Sequence, residues 1–440
     1  MSSKRAEFGS RLGVIAATVG SAVGLGNIWR FPYEAGTGGG AAFLLIYIVF
    51  VFVLGVPTIC AEFSLGRFSR QGMPGAYSKT SGSRRWDFLG YASILAALMI
   101  LAFYSVVAGW TLEYIIESVK SMFGDVDIAD RHGAFTAFTG SWTAVAWTAV
   151  FLIINGLVML GGVQKGIERV CNVLMPILFL ILLAFSVNSL LMPGARQGLE
   201  FLFKPDFSAL NAGVILSAMG QAFFSLSIGM GCMVTYASYF KDDTPLVRTS
   251  IEIAALDTLV AVMAGVIIFP AVFSFGMSPA EGPTLVFEVL PAIFHQMTGG
   301  PFWSLLFFVL LALASLTSII SVSEIVVTFL CDTLGWRRVK ATVVLTLFTL
   351  VAATLCSLSF GPLRDLDLFN AFDFISSNIL MPLCGLGVCV FVGWRMKRPE
   401  YEAQMRGRSR VPAWLFDTIT FCLRYIAPVG ILSVFIAGLM

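Results

Sequence analysis

The stretch Gly20-Ser-Ala-Val-Gly-Leu-Gly26-Asn27-Ile-Trp-Arg30-Phe-Pro32 lies inside an apolar segment that runs from residue 12 to residue 35. Each glycine in a helix interior costs roughly 1 kcal/mol relative to alanine. The amide of Asn27 and the guanidinium of Arg30 follow these glycines at the depth of the membrane. A broken helix is tolerated in a bilayer only where its free backbone groups are buried in protein or line a polar cavity. The stretch therefore predicts an interrupted transmembrane helix beside a ligand site. The glycines, considered without the polar residues, are explained equally well by close packing between helices.

The composition is that of an integral membrane protein. The chain of 440 residues is 58% hydrophobic and 12% charged, with a mean hydropathy of +0.87. A helix needs roughly 20 apolar residues to cross a bilayer. Stretches of that length run over residues 12–35, 41–66, 88–122, 143–161, 167–191, 211–240, 249–277, 302–331, 340–360, 368–394 and 414–438. We therefore predict an all-α polytopic membrane protein with about 11 transmembrane helices.

Lysine and arginine are distributed unevenly between the two sides of the membrane. When the segments are threaded alternately, most of these 28 residues fall at the N-terminus and in the even-numbered loops. Cytoplasmic loops carry such an excess. We expect a multi-pass protein of the cell's inner (plasma) membrane, with its N-terminus in the cytoplasm and its C-terminus outside. The net charge of +2 is then a topology signal and indicates no nucleic-acid partner.

The sixth segment repeats the irregularity of the first. It reads Gly220-Gln221-Ala-Phe-Phe224-Ser225-Leu-Ser227-Ile-Gly229-Met230-Gly231, in which polar residues again lead into closely spaced glycines. Five segments separate the two interruptions, and an odd number reverses the direction in which the element crosses the membrane. Paired interruptions of this kind indicate an inverted repeat with its ligand site near the membrane midplane. The repeats would be residues 12–191 and 211–394, with 414–438 as an additional helix.

Glu62 and Asp257 are carboxylates inside apolar segments, where an ionisable group is costly and is a functional-site hypothesis by default. Glu62, in the second segment, is expected to accept hydrogen bonds from backbone N–H groups freed by a neighbouring broken helix; proton transfer is the alternative. Asp257 lies deep in the seventh segment.

The polar groups suit a hard cation better than catalysis. The chain has two histidines and eight cysteines, and the cysteines lie in apolar segments or at their ends, where they read as small buried hydrophobes. We expect no enzyme activity. Unwound carbonyls with Asn, Ser, Thr and Asp side chains supply the oxygens that sodium takes. Thr317 and Ser318 either bond back to their own helix or join that set. A half-helix starting near Gly26 directs its positive end at the break and favours a carboxylate there.

The motifs Gly26-Asn-Ile-Trp-Arg-Phe-Pro32, Gly220-Gln-Ala-Phe-Phe-Ser-Leu-Ser-Ile-Gly229, Thr235-Tyr-Ala-Ser-Tyr239 and Leu316-Thr-Ser318 occur in the order found in a known family. The chain resembles the neurotransmitter:sodium symporters over nearly its whole length, in particular the bacterial amino-acid branch, whose members often have eleven spans. The resemblance implies one membrane transport domain over residues 1–440. It also implies sodium-coupled symport by alternating access between outward and inward states.

The resemblance implies two sodium sites. One would use the carbonyls of Gly20, Val23 and Ala314 with the hydroxyls of Thr317 and Ser318. The other would use the Ala22 carbonyl, Asn27, Ser225, Asp257 and the carboxylate of the substrate itself. Because ion and substrate share that second site, neither would bind well without the other.

The substrate implied by the resemblance is a small-molecule amino acid. Its carboxylate would meet Tyr104 and the Gly26 N–H, and an apolar, uncharged pocket favours large hydrophobic or aromatic side chains. Ile100 and Tyr104 share one helix face, and Met230 is soft enough to accept several shapes. The residues expected at the substrate are Ala22, Leu25, Gly26, Ile100, Tyr104, Phe224, Ser225, Ser227, Met230, Ser318 and Val322.

Two departures from animal relatives carry further expectations. Those relatives have asparagine where this chain has Asp257, and a serine one turn on, where this chain has Ala261, helps a chloride to supply negative charge. The fixed carboxylate is expected to replace that anion, which predicts chloride independence. Gly24 stands where monoamine carriers place an aspartate for the substrate amine, so a zwitterionic amino acid fits better.

The resemblance also implies two gates. Arg30 with Asp373 would close the outer side, and Arg5 with Asp332, near Tyr239, would close the inner side. Partly solvated pairs of this kind contribute about 0 to 1 kcal/mol, which suits contacts that open in every cycle. Glu62 and Gln221 are expected to be structural polar groups beside the site.

Alternatives to sodium symport remain open at this point. A non-transporting amino-acid receptor would use the same residues, and proton coupling through Glu62 or Asp257 would follow if either acid titrates when desolvated. The remaining expected partner is membrane lipid, with the protein a monomer or a weak dimer.

Overall fold

The computed structural model describes residues 6–124, 131–276, 286–407 and 411–439. Every regular element within these ranges is a helix. The helices that build the bundle are α1 (Arg11–Ala22), α2 (Gly26–Thr37), α3 (Ala41–Ser69), α4 (Arg84–Met122), α5 (Trp142–Leu160), α6 (Val163–Leu190), α7 (Ala212–Ser225), α8 (Cys232–Ala237), α9 (Leu246–Ser274), α10 (Gly300–Asp332), α11 (Arg338–Leu358), α12 (Arg364–Arg395) and α13 (Ala413–Leu439). Shorter helices cover Gly75–Ser81, Arg131–Thr139, Ala195–Phe203, Val289–Gln296 and Arg398–Arg406.

Nine of the described helices are individually long and apolar enough to cross a membrane. Helices α1 and α2, bent by 52° at the break between them, are long and apolar enough together to count as a tenth candidate span. Helices α7 and α8 have 14 and 6 residues, so each is too short to cross a bilayer alone. The all-helical polytopic membrane fold is therefore confirmed, whereas the count of eleven spans stays a prediction.

The break between α1 and α2 is stabilised by side chains that replace helical hydrogen bonds. Helix α1 is capped by Ser10, whose Oγ accepts a hydrogen bond from Gly13 N at 2.9 Å, and it ends where Val23 turns to an extended conformation, with ψ of 111°. Within the break, Gly24 N donates to Asn27 Oδ1 at 3.1 Å. The amide at the break thus supplies an acceptor for a backbone group that the helix leaves free.

The second break, at residues 226–231, depends on positive φ angles. Gly229 and Gly231 have φ of 86° and 89°, and Ser227, which carries a side chain, has φ of 53°. Such angles are open to glycine and strained for most other residues. Gly229 N donates to Glu62 Oε1 at 2.9 Å, so the carboxylate of α3 accepts a bond from the interrupted backbone.

The two breaks face each other at the centre of the bundle. Ser227 Oγ donates to Ser21 O and Gln221 Nε2 donates to Gly26 O, each at 3.0 Å. The long helices α4 and α10 pack along one another beside them. The polar backbone left free by both interruptions is therefore enclosed by protein, as a membrane requires.

Candidate substrate and ion site

A cavity of about 40 Å³ lies between the two breaks and the facing sides of α4 and α10. Ten of the eleven residues expected at the substrate line it: Ala22, Gly26, Ile100, Tyr104, Phe224, Ser225, Ser227, Met230, Ser318 and Val322. Leu25 is the exception, because it lines the larger cavity above. The central cavity has a polar end at the first break and an apolar end formed by aliphatic and aromatic side chains.

The polar end contains two hydroxyls, of Tyr104 and Ser318, and two glycines in close contact with their neighbours. Leu25 N donates to Tyr104 Oη at 3.1 Å. A Cβ on Gly24 would lie 2.6 Å from Ser318 Oγ and 2.9 Å from the Tyr104 hydroxyl, and one on Gly26 would lie 2.8 Å from Cε1 of Phe224. No side chain fits at either glycine without displacing these groups.

One group of oxygens lies between α1 and α10. Ser318 Oγ donates to Val23 O at 3.2 Å, and Thr317 Oγ1 donates to Ala314 O at 3.0 Å. A Cβ on Gly20 would lie 3.2 Å from Cβ of Thr317, so that glycine lets the two helices approach. The five groups expected at one sodium site are therefore adjacent, and they offer carbonyl and hydroxyl oxygens to a hard cation.

A second group surrounds Asp257 on α9. Asn27 Nδ2 donates to its Oδ1 at 2.7 Å, Ser225 Oγ donates to its Oδ2 at 2.6 Å, and the Tyr47 hydroxyl donates at 3.3 Å. Asn27, Tyr47 and Asp257 are all 0% exposed, and within the described chain no basic side chain pairs with this carboxylate. A buried anion held only by neutral donors is a favourable place for a cation.

A cavity of about 340 Å³ lies above the central one and is lined by both residues of the expected outer gate. Arg30 and Asp373 form no ion pair here. Instead, Nε of Arg30 lies 3.4 Å from Oε1 of Glu34, and its Cζ lies 4.6 Å from the ring centroid of Phe224. Asp373 Oδ1 accepts a hydrogen bond from Ser377 Oγ at 2.9 Å. The two residues expected at the outer gate therefore have separate partners in this conformation.

The opposite end of the central cavity is closed by a buried polar network. The Tyr239 hydroxyl donates to Glu324 Oε1 at 2.7 Å, and Arg338 donates to both carboxylate oxygens of Glu324, at 2.9 and 2.6 Å. Phe8 is 1% exposed and packs edge-on against Tyr236 and Tyr239. These contacts close the side at which the N-terminal segment enters the bundle.

The N-terminal segment is held by one carboxylate on α6. Glu168 Oε2 accepts a hydrogen bond from Gly9 N at 2.8 Å, and its Oε1 accepts from Ser10 N at 3.0 Å. Of the expected inner gate, Arg5 lies outside the described residues, and Asp332 Oδ2 accepts a bond from Gly72 N at 3.0 Å. At this end, the contacts that the structure describes are therefore made mainly by Glu168, Glu324 and Arg338, and not by Arg5 with Asp332.

Comparison with known proteins decides the family. Residues 5–126 and 137–440 match the sodium:neurotransmitter symporter family. The chain belongs to this family. An uncharacterized sodium-dependent transporter of Bacillus subtilis, YhdH, is 38% identical over 98% of this chain and 97% of its own length. A sodium-dependent serotonin transporter of Drosophila melanogaster is 27% identical over 99% of this chain and 76% of its own length.

A solved structure of the same family is similar throughout. The crystal structure of MhsT in complex with L-phenylalanine superposes with a TM-score of 0.90 and 40% sequence identity, over 99% of this chain and 100% of that one. The family prediction is thus confirmed, and the protein is a sodium-dependent membrane transporter. Its family is one of transporters and not of enzymes.

Several residues of this transporter's site were missed by sequence reasoning. Tyr47 and Glu324 lie inside apolar segments, the same signal that singled out Asp257, so they could have been found. Glu34 and Glu168 lie near segment ends, where a carboxylate is expected to be solvated, and nothing in the sequence marks their partners.

The described residues contain no group of three or more His, Cys, Asp or Glu side chains that could hold a metal ion.

Proposed function

We propose that this transporter imports hydrophobic and aromatic amino acids together with sodium, by alternating access to one central site. The observation that carries the proposal is the central cavity itself. It joins a polar end, where Tyr104 and the freed N–H of Gly26 suit a carboxylate, to an apolar end suited to a large side chain. The structural neighbour MhsT is known with L-phenylalanine bound.

The substrate's side chain would lie against Ile100, Phe224, Met230 and Val322, all of which line the cavity. No basic or acidic side chain lines it among the described residues, which disfavours charged amino acids because an unpaired charge is costly to bury. Met230 has three rotatable bonds and adapts to different shapes. We therefore expect aromatic and branched aliphatic substrates to compete for the same site.

Two sodium ions would accompany each substrate. The group formed by Gly20, Val23, Ala314, Thr317 and Ser318 would bind one ion away from the substrate. The group formed by Ala22, Asn27, Ser225 and Asp257 would bind the other ion next to the substrate carboxylate. The shared carboxylate makes the two binding events favour each other, and this reciprocity is what couples the sodium gradient to amino-acid uptake.

Chloride independence is part of the proposal. Asp257 supplies a fixed negative charge beside the second ion, and Ala261 has no hydroxyl to help hold an anion. A chloride bound beside Asp257 would place two negative charges together in a buried site, which is unfavourable. The permanent carboxylate thus takes over the electrostatic role that a bound anion would have.

Alternating access would use the two ends described above. Occlusion from outside would bring Arg30 and Asp373 together across the outer cavity, and inward release would open the Tyr239 network and free the N-terminal segment. We place these movements in two inverted repeats, residues 12–191 and 211–394, with 414–438 outside them. The N-terminus would be cytoplasmic and the C-terminus external, in the cell's inner membrane.

The test is uptake of radiolabelled Trp, Tyr, Phe, Leu, Gly and Glu into proteoliposomes under an imposed sodium or proton gradient, with gluconate in place of chloride. We expect uphill accumulation of the hydrophobic amino acids with sodium. The variant Ser318→Ala should lose most of it, because it removes an oxygen of the first ion group. Ser186→Ala is the matched control, since its buried hydroxyl bonds only to Leu182 O of its own helix.

Each other outcome contradicts a named part of the proposal. Sodium-dependent binding without accumulation would indicate a receptor. Accumulation driven by a proton gradient in the absence of sodium would indicate a proton-coupled carrier. A requirement for chloride would refute the role given to Asp257.

A further inference from the structure

Arg30 has two carboxylates available on the wall of the outer cavity. Both Glu34 and Asp373 line that cavity with it. The arginine pairs with Glu34, one helical turn along α2, at 3.4 Å. Since a guanidinium is permanently charged, it favours whichever carboxylate lies nearer, which in this conformation is Glu34.

Glu34 is fixed in position by a second contact. Its Oε2 accepts a hydrogen bond from Ser217 Oγ at 2.5 Å. Because Ser217 lies on α7, this bond joins the first broken helix to the second. The side chain of Glu34 is 19% exposed, against 37% for Arg30. The carboxylate is therefore the anchored member of the pair, and the guanidinium is the member that can move.

The position of Arg30 matters for the substrate cavity because of Phe224. The guanidinium lies over that ring, with 4.6 Å between Cζ and the ring centroid, and Phe224 lines both the outer and the central cavities. Moving Arg30 towards Asp373 would carry the charge across the outer cavity, above the ring. Asp373 meanwhile accepts a hydrogen bond from Ser377 Oγ, so both gate residues have another partner while the cavity is open.

We propose that Glu34 is a positioning residue that holds Arg30 away from Asp373 and thereby keeps the outer cavity open before substrate binds. The inference rests on the proposed function only in assigning Arg30 and Asp373 to the outer gate. Closing then exchanges one ion pair for another, and the carboxylate that lacks the arginine has a hydroxyl donor in either state, Ser377 for Asp373 and Ser217 for Glu34. An exchange of partly exposed pairs is close to balanced, so binding in the central cavity can decide its direction.

The test measures access to the outer cavity without requiring transport. Val107→Cys places a thiol on the wall of that cavity, and its alkylation rate by a membrane-impermeant maleimide is measured in sodium without amino acid. The eight native cysteines are free, seven of them buried and Cys331 partly exposed. The same chain without the Val107→Cys change gives the background rate.

Glu34→Gln in this background should lower the alkylation rate about two- to fivefold, the range expected for removing a partly exposed ion pair. Its affinity for amino acid should rise by a similar factor, because less binding energy is needed to close the gate. Asp373→Asn should raise the alkylation rate. Glu34→Gln should have little effect when combined with Asp373→Asn, because Arg30 then has no alternative carboxylate.

The matched control is Glu200→Gln. Glu200 also pairs with an arginine four residues away, Arg196, at 3.0 Å, but neither residue lines the outer cavity, so its alkylation rate should equal the wild-type rate. An unchanged or higher rate in Glu34→Gln would overturn the proposal, as would an equal reduction in the Asp373→Asn background. Failure of the proposed function would appear separately, as wild-type proteoliposomes that accumulate no amino acid.

Discussion

Gly24→Ala is the sharpest test of the central site, because one methyl group would contact both of its hydroxyls. The new Cβ would lie 2.6 Å from Ser318 Oγ and 2.9 Å from the Tyr104 hydroxyl. Both side chains would have to move, and the hydroxyls would lose their hydrogen bonds to Val23 O and Leu25 N. Overpacking of this kind costs about 1 to 3 kcal/mol. That cost corresponds to roughly 5- to 150-fold weaker binding of amino acid.

The assay is sodium-dependent binding of radiolabelled amino acid to purified protein, with thermal stability measured alongside. The matched control is Gly220→Ala, in the other broken helix, where the nearest atom to a new Cβ is Cγ1 of Val434 at 3.6 Å. That is an ordinary contact, so we expect binding within twofold of wild type. If Gly24→Ala also bound within twofold, the placement of Tyr104 and Ser318 at the ligand would be refuted.

Three further substitutions test the ion site at Asp257 and the end of the bundle that Glu324 and Glu168 help to close. Asp257→Asn should weaken sodium binding about a thousandfold, since a charge ~4 Å away at an effective dielectric of ~20 contributes ~4 kcal/mol; a shift below tenfold in sodium titrations would contradict its role. Glu324→Gln leaves the half-buried Arg338 without its carboxylate and should destabilise the protein by about 2 kcal/mol, the contribution of hydrogen bonds to a charged group, seen as a lower thermal denaturation midpoint. Glu168→Ala removes the acceptor of the Gly9 N–H and should speed alkylation of Phe8→Cys about tenfold; an unchanged rate would show that the contact does not retain the segment.

The sequence was most informative where it departed from what a membrane helix needs. Glycines beside polar residues located both breaks, because backbone groups freed in a membrane must find protein partners. The boundaries were less predictable. The sixth segment, expected as residues 211–240, contains an irregular stretch at 226–231 that the glycine at 231 ends. Its path depends on Ser227 adopting a positive φ, for which a serine gives no local signal.

The partners of the charged residues could not be predicted, because they lie far apart in sequence. Gly9 and Glu168 are 159 residues apart, and Tyr47 and Asp257 are 210 apart. Spacing along one helix reveals only contacts within it. Even the i, i+4 pair of Arg30 with Glu34 was hidden by the expectation of a partner across the cavity. The resemblance supplied the candidate ligands, and the fold supplied the contacts that orient them.

The hydrogen bonds between the two breaks have a consequence for protein engineering. Ser227 donates to the backbone of Ser21, and Gln221 donates to the backbone of Gly26, so the backbone of the first interrupted helix is completed by side chains of the second. A chimera that takes only its first helix from a distant relative would combine two interrupted helices that were selected with different partner helices. Domain shuffling in this family should therefore succeed when residues 20–27 and 221–231 are transplanted together as one discontinuous module.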